Sequence, residues 1–157
     1  MHGFALTPRQ GTILIGVWNF FSASCSLFTG KRFSRRFLLA GGHTLVGVFL
    51  ILFGVLNQLE KPTYAFIAML AYLFVLQTTD NAVTWLYCSE IAVDVGLGFV
   101  GVVGYFIVFL LTFGIKPMEA SALGLSGTFY VFGAEQLLSG LWAYLYLKET
   151  SGGLSDK

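Results

Sequence analysis

Polar side chains are scarce in this chain, and the few that interrupt its apolar runs are where any chemistry would sit. Gln77-Thr78-Thr79-Asp80-Asn81 breaks an otherwise apolar stretch. Gln77, Asn81 and Trp85 recur at spacing four, so a helix would carry them on one face. A charged side chain near mid-bilayer costs about 2.5–3.5 kcal/mol on insertion scales, and something must offset that for Asp80. Two arrangements would: a proton- or substrate-handling carboxylate facing a cavity, or an Asp80 hydrogen-bonded between helices or against a partner subunit. Glu135, beside Gln136 in a later apolar run, poses the same question, and a helix contact or a snorkelled group answers it there. His2 and His43 have no companions at metal-ligand spacing, so no metal and no cofactor are assigned. With no Ser/His/Asp or Cys/His arrangement and no glycine-rich phosphate loop, catalysis is not expected.

The elements that must position these residues are apolar helices. Of 157 residues, 56% are hydrophobic and 11% charged, where a soluble domain carries roughly 25% charged residues. A water-soluble fold of this size could not hide so much apolar surface. A helix crossing about 30 Å of hydrocarbon needs about 20 residues. Five such stretches are predicted, near 11–30, 37–58, 63–87, 95–115 and 123–147, followed by a polar tail over 148–157. The fold class expected is therefore all-α, a polytopic transmembrane bundle within a single domain. Long unbroken apolar runs exclude the ten-residue alternation of a membrane barrel.

Charge orients the bundle. Lys31, Arg32, Arg35 and Arg36 crowd into six residues between the first two helices, which places that loop on the cytoplasmic or matrix side. So local a cluster argues against a nucleic-acid face, and no nucleic-acid partner is expected. Cys25 and Cys88 lie inside apolar segments, unlike a secreted disulfide framework. Met1–Gln10 has the pattern of neither a signal peptide nor a transit peptide. Glycines at 98, 101 and 104, and at 124 and 127, are expected to let helices pack closely, either within the chain or across a dimer face.

Three stretches, in order and spacing, resemble the C-terminal half of a sugar porter of the major facilitator superfamily. Lys31-Arg32-Phe33-Ser34-Arg35-Arg36 is similar to the family's loop with paired arginines; Trp85-Leu86-Tyr87-Cys88-Ser89-Glu90-Ile91 resembles its Trp-x-x-x-x-Glu-Ile segment; Glu149-Thr150-Ser151-Gly152 looks like its Pro-Glu-Thr-Lys-Gly. The resemblance makes the five helices the family's eighth to twelfth, half of a major-facilitator fold. It implies a cytoplasmic gate-like cluster of Arg35, Arg36, Glu90 and Glu149, and a sugar site at Gln77, Asp80, Asn81 and Trp85 if transport is retained. The family has an acid at Lys31 and Gly at Ser34. It has helix-breaking Gly and Pro where Asn81-Ala82-Val83-Thr84 stand, and Pro and Arg where Val93 and Leu97 stand, which is expected to leave Glu90 without a nearby cation.

The chain starts at a Met without the family's first seven helices, so half the transport path is expected to be missing. The leading expectation is a non-catalytic relic of a sugar porter, kept as an accessory subunit of a larger membrane complex, with other membrane subunits or self-association as partners besides the bilayer. Its rival is a sugar transporter acting as an oligomer or split half, and a third reading is a small channel or regulator using the Gln77–Asn81 stretch. The plasma membrane and the mitochondrial inner membrane both fit.

Overall fold

The computed structural model describes residues 7–150, and these form helices joined by short turns. Helix α1 spans Pro8–Arg32, α2 Arg35–Gln58, α3 Pro62–Val75, α4 Ala82–Ile91, α5 Asp94–Ala120 and α6 Gly124–Tyr146. Between α3 and α4 the chain stays helical but widens into a π-helical turn over Leu76–Asn81, so α3, the wide turn and α4 form one interrupted crossing. Four crossings, Arg9–Gly30, Arg35–Gln58, Pro62–Ile91 and Val95–Ala120, have the length and apolar composition to span a bilayer. Helix α6 has 23 residues, enough to span, but carries Glu135, Gln136 and two serines along that length. The protein is an integral, multi-pass membrane protein.

The helix ends follow local chemistry. Thr7 and Gln10 form a reciprocal capping box at the start of α1, and Pro8 fills the first-turn position where its missing N–H is no loss. Ser34 caps α2 by accepting from the Phe37 N–H at 3.3 Å. Pro62 opens α3 in the same way as Pro8 opens α1. The crossing expected over 95–115 does not end there: α5 runs on to Ala120 with Pro117 inside its last turn. Ser121 ends it, its hydroxyl donating to the Met118 carbonyl at 2.6 Å and accepting from the Leu123 N–H.

The π turn has a cause in the sequence. Thr78 and Thr79 each donate a hydroxyl to a carbonyl four residues back, Phe74 and Val75, both at 2.7 Å. Such back-bonding competes with the backbone N–H for the carbonyl, and an extra residue in the turn accommodates both donors.

Packing is uneven. Helix α2 lies most extensively on α6, along a seam set by glycines at spacing seven: Gly47 and Gly54 on α2, Gly133 and Gly140 on α6. A Cβ on Gly47 would come within 2.8 Å of the Gly133 carbonyl oxygen, and one on Gly133 within 2.6 Å of Ile51. Close packing was also expected at spacing three, on Gly98, Gly101 and Gly104 and on Gly124 and Gly127; among these an added Cβ would meet only the Trp85 ring, 3.7 Å from Gly101, and the Leu123 side chain at the N-cap of the same helix, 3.1 Å from Gly127. Helix α5 rests lightly on its neighbours and none of its most apolar stretch is buried, so its surface faces lipid or a protein outside this chain. Helix α1 is tied to α3 by the Trp18 indole, which donates to the Leu70 carbonyl at 2.8 Å.

Candidate functional site

Two polar regions stand out. The first lies where α1 ends, α2 begins, and α4 and α6 end. Ser34 is already one cap of α2, and Glu149 supplies two more: its Oε1 accepts from the Arg35 N–H at 3.0 Å and its Oε2 from the Arg36 N–H at 3.2 Å. A carboxylate at a helix N-terminus satisfies orphan donors and meets the positive end of the helix dipole. The Arg35 guanidinium donates to Glu90 Oε1 from Nε at 3.3 Å and Nη2 at 3.1 Å, and Nη1 donates to the Gly30 carbonyl. Thr150 closes the group by donating its hydroxyl to Glu90 Oε2. Arg36 turns the other way, donating to the Tyr144 carbonyl from Nε at 3.0 Å and from Nη2, and lies over the Tyr144 ring at 5.2 Å.

Glu90 was expected to lack a cation because residues 93 and 97 are Val and Leu. The structure corrects this: Arg35, 55 positions earlier, supplies the charge at 3.1 Å. Both side chains are largely enclosed, 13% and 15% exposed, so removing either partner would leave the other charge buried and uncompensated. Ser34 departs from the family's Gly yet caps α2.

The second region is the wide turn. Gln77 Nε2 donates to Asn19 Oδ1 on α1 at 3.1 Å, and Asn81 Nδ2 donates to Gln77 Oε1 at 2.9 Å. This is a short amide ladder along one helix face, as the spacing of four requires. Asp80 points elsewhere. Its Oδ1 accepts from Thr84 Oγ1 at 3.1 Å and lies 3.5 Å from His43 Nε2 on α2. Asp80, Asn81, Thr84 and Trp85 line an open groove of about 420 Å³ whose far wall is Val100 and Gly104 on α5. Of the four residues singled out in the sequence, the structure thus brings Asp80, Asn81 and Trp85 to one groove. Gln77 stands behind them, joined through Asn81. Trp85 is 42% exposed, its ring 6.4 Å from that of Tyr105.

Asn19 was not read as a site residue, and His43, Thr84 and Gln136 were named without being joined to Asp80. Thr84 stands four positions after Asp80, a helical spacing that could have found it. Asn19, His43 and Gln136 come from other helices, and their one available signal was polarity within apolar runs.

A helical bundle with a polar break in one crossing and a charged cluster joining its helix ends defines a polytopic membrane protein. Residues 3–154 match the family described as sugar (and other) transporter, and the chain belongs to that family. It is 26% identical over 147 residues to the putative metabolite transport protein YncC of Bacillus subtilis (strain 168), covering 89% of this chain and 29% of that protein. It is 29% identical over 151 residues to the putative metabolite transport protein YfiG of the same organism, covering 90% of this chain and 31% of that protein. The chain thus spans about three-tenths of the length of the curated relatives it matches. No solved structure matches it.

Proposed function

We propose that this chain forms one wall of a path for a small polyhydroxylated metabolite, of hexose type, across the membrane. The observation that carries this reading is the polar turn at Leu76–Asn81, which aims Asp80 and Asn81 into the same groove as the exposed Trp85 face. Carboxylate and amide oxygens pair with sugar hydroxyls, and an indole face covers the apolar face of a pyranose ring. The groove is open on one side, so a second wall from outside this chain would complete it. The Arg35–Glu90–Glu149 clamps support the same reading, since they fix the helix ends around the path while the middle stays free to rearrange.

The experiment is equilibrium binding of labelled glucose to the chain in lipid nanodiscs, followed by Trp85→Ala and Asn81→Ala. Loss of binding in both variants with unchanged helix content supports the reading; binding retained in both sinks it.

A second reading, an accessory subunit that carries nothing, is favoured by one specific observation. Glu135 lies exposed at the middle of α6, where a partner helix with a donor or cation would match it. Extraction in mild detergent followed by size measurement separates the two: a large stable heteromeric complex that binds no sugar would favour the accessory role.

A further inference from the structure

One hydrogen-bonded chain of side chains crosses the bundle at mid-height and joins three helical segments. Glu135 accepts from Ser139 Oγ at 2.9 Å and from Gln136 Nε2 at 3.0 Å. A carboxylate only accepts, so the Gln136 amide is oriented with its NH₂ toward Glu135 and its carbonyl toward α2. That carbonyl oxygen lies 2.8 Å from His43 Nδ1, which must therefore carry a hydrogen and donate it. The other ring nitrogen, Nε2, faces Asp80 Oδ1 at 3.5 Å. In a neutral ring with hydrogen on Nδ1, Nε2 presents a lone pair, and a lone pair against a carboxylate oxygen repels. A second ring proton turns that contact into an ion pair.

We propose that His43 and Asp80 together form a binding site for one exchangeable proton, with Gln136 fixing the ring's tautomer from the far side. The ring sits eight residues into α2 from Arg35, about 12 Å along the helix, well away from the charged end. Among the described residues, no Lys or Arg pairs with Asp80 or Glu135, so the proton is the positive charge available to this chain of groups. His43 and Asp80 side chains are 21% and 15% exposed, and Asp80 lines the groove between the wide turn and α5, so the proton has a way in and out.

The titratable and charged groups around the pair are few. Helix α3 contributes Tyr72, which lies within electrostatic reach of Asp80; α4 contributes Cys88, in the groove. Helix α5 contributes Glu119, in a cleft it shares with Tyr72 and Gln136, and α6 contributes Glu135. From α1 comes only the neutral Asn19, through Gln77. One bound proton therefore relieves a site otherwise dominated by carboxylates. Because Asp80 lines the groove assigned above to the metabolite, proton and metabolite binding there are linked and each alters the other's affinity, a consequence that rests on the transporter reading.

The test needs no metabolite. The full chain with His2→Gln, labelled with ¹⁵N at its remaining imidazole and placed in nanodiscs, is titrated by NMR. The second ring proton of His43 is expected to be held at least tenfold more weakly in Asp80→Asn than in the unaltered chain. An affinity unchanged in Asp80→Asn overturns the proposal. Should Asp80→Asn fail to fold, His43→Gln read by infrared spectroscopy decides: a pH dependence of the Asp80 carboxylate band that differs from the unaltered chain is expected, and an unchanged one overturns the site. A protein that holds the proton this way but binds no glucose keeps this inference and sinks the metabolite reading.

Discussion

The clamp at the helix ends and the polar chain at mid-height use similar groups, an acid and a base from different helices, yet they are finished differently. At the end, Arg35 donates to Glu90 twice and Glu149 is held by two backbone N–H groups, so donors and acceptors match without a choice of protonation state. At mid-height, His43 meets Asp80 at 3.5 Å with its far nitrogen already committed to Gln136, and the contact is attractive only with an added proton. A permanently charged guanidinium makes a fixture, whereas an imidazole makes a switch. The same contrast separates what holds this bundle together from what it can do.

Removing the fixture should have the largest effect. Arg35→Ala strands a mostly enclosed Glu90 and leaves the Gly30 carbonyl without its donor, so a loss of about 3 kcal/mol is expected in reversible unfolding from detergent. A loss below about 1 kcal/mol would mean that the clamp behaves like an exposed pair. Glu149→Gln comes next. The amide keeps one acceptor but turns an NH₂ toward the second backbone N–H and removes the negative charge from the start of α2. About 1 kcal/mol should disappear in the same assay. Ser34→Ala should cost slightly less, since Glu149 still covers two of the first donors of α2 and only the Phe37 N–H loses its acceptor.

The two regions also differ in how far the sequence reveals them. The helices are legible because apolar runs of about 20 residues have few other uses: four of the five expected crossings have the length and apolar composition to span. Arg35, Arg36, Glu90 and Glu149 stand out as charges flanking such runs, and the resemblance already offers the arginine pair as a clamp for Glu90; which arginine meets it, 55 positions away, is decided only when the helix ends pack. The polar break at Gln77–Asn81 is legible, but its π turn follows from two threonines back-bonding to carbonyls, a choice that composition does not specify. His43 was passed over because its companions, Asp80 and Gln136, are 37 and 93 positions away and meet it only after three segments have packed. Glycine spacing misled for a related reason. Spacing three on α5 catches the eye, whereas the contacting seam repeats at seven, one residue every two turns, and is invisible until α2 and α6 are paired.

The smallest stability effect should come from the residue with the greatest functional weight. Asp80→Asn removes a charge that is expensive to keep within a crossing, and it retains an oxygen that can accept from Thr84. The lost attraction to His43 and the relieved cost of the charge oppose each other, so unfolding in detergent should shift by less than about 0.5 kcal/mol, within the range of ordinary surface substitutions. A loss as large as that of Arg35→Ala would make Asp80 a structural fixture and erase the distinction between the two regions. A near-zero shift accompanied by the tenfold weaker hold on the His43 proton would sharpen it: a carboxylate that stability does not need, kept at a membrane depth where carboxylates are costly, is there for what it binds.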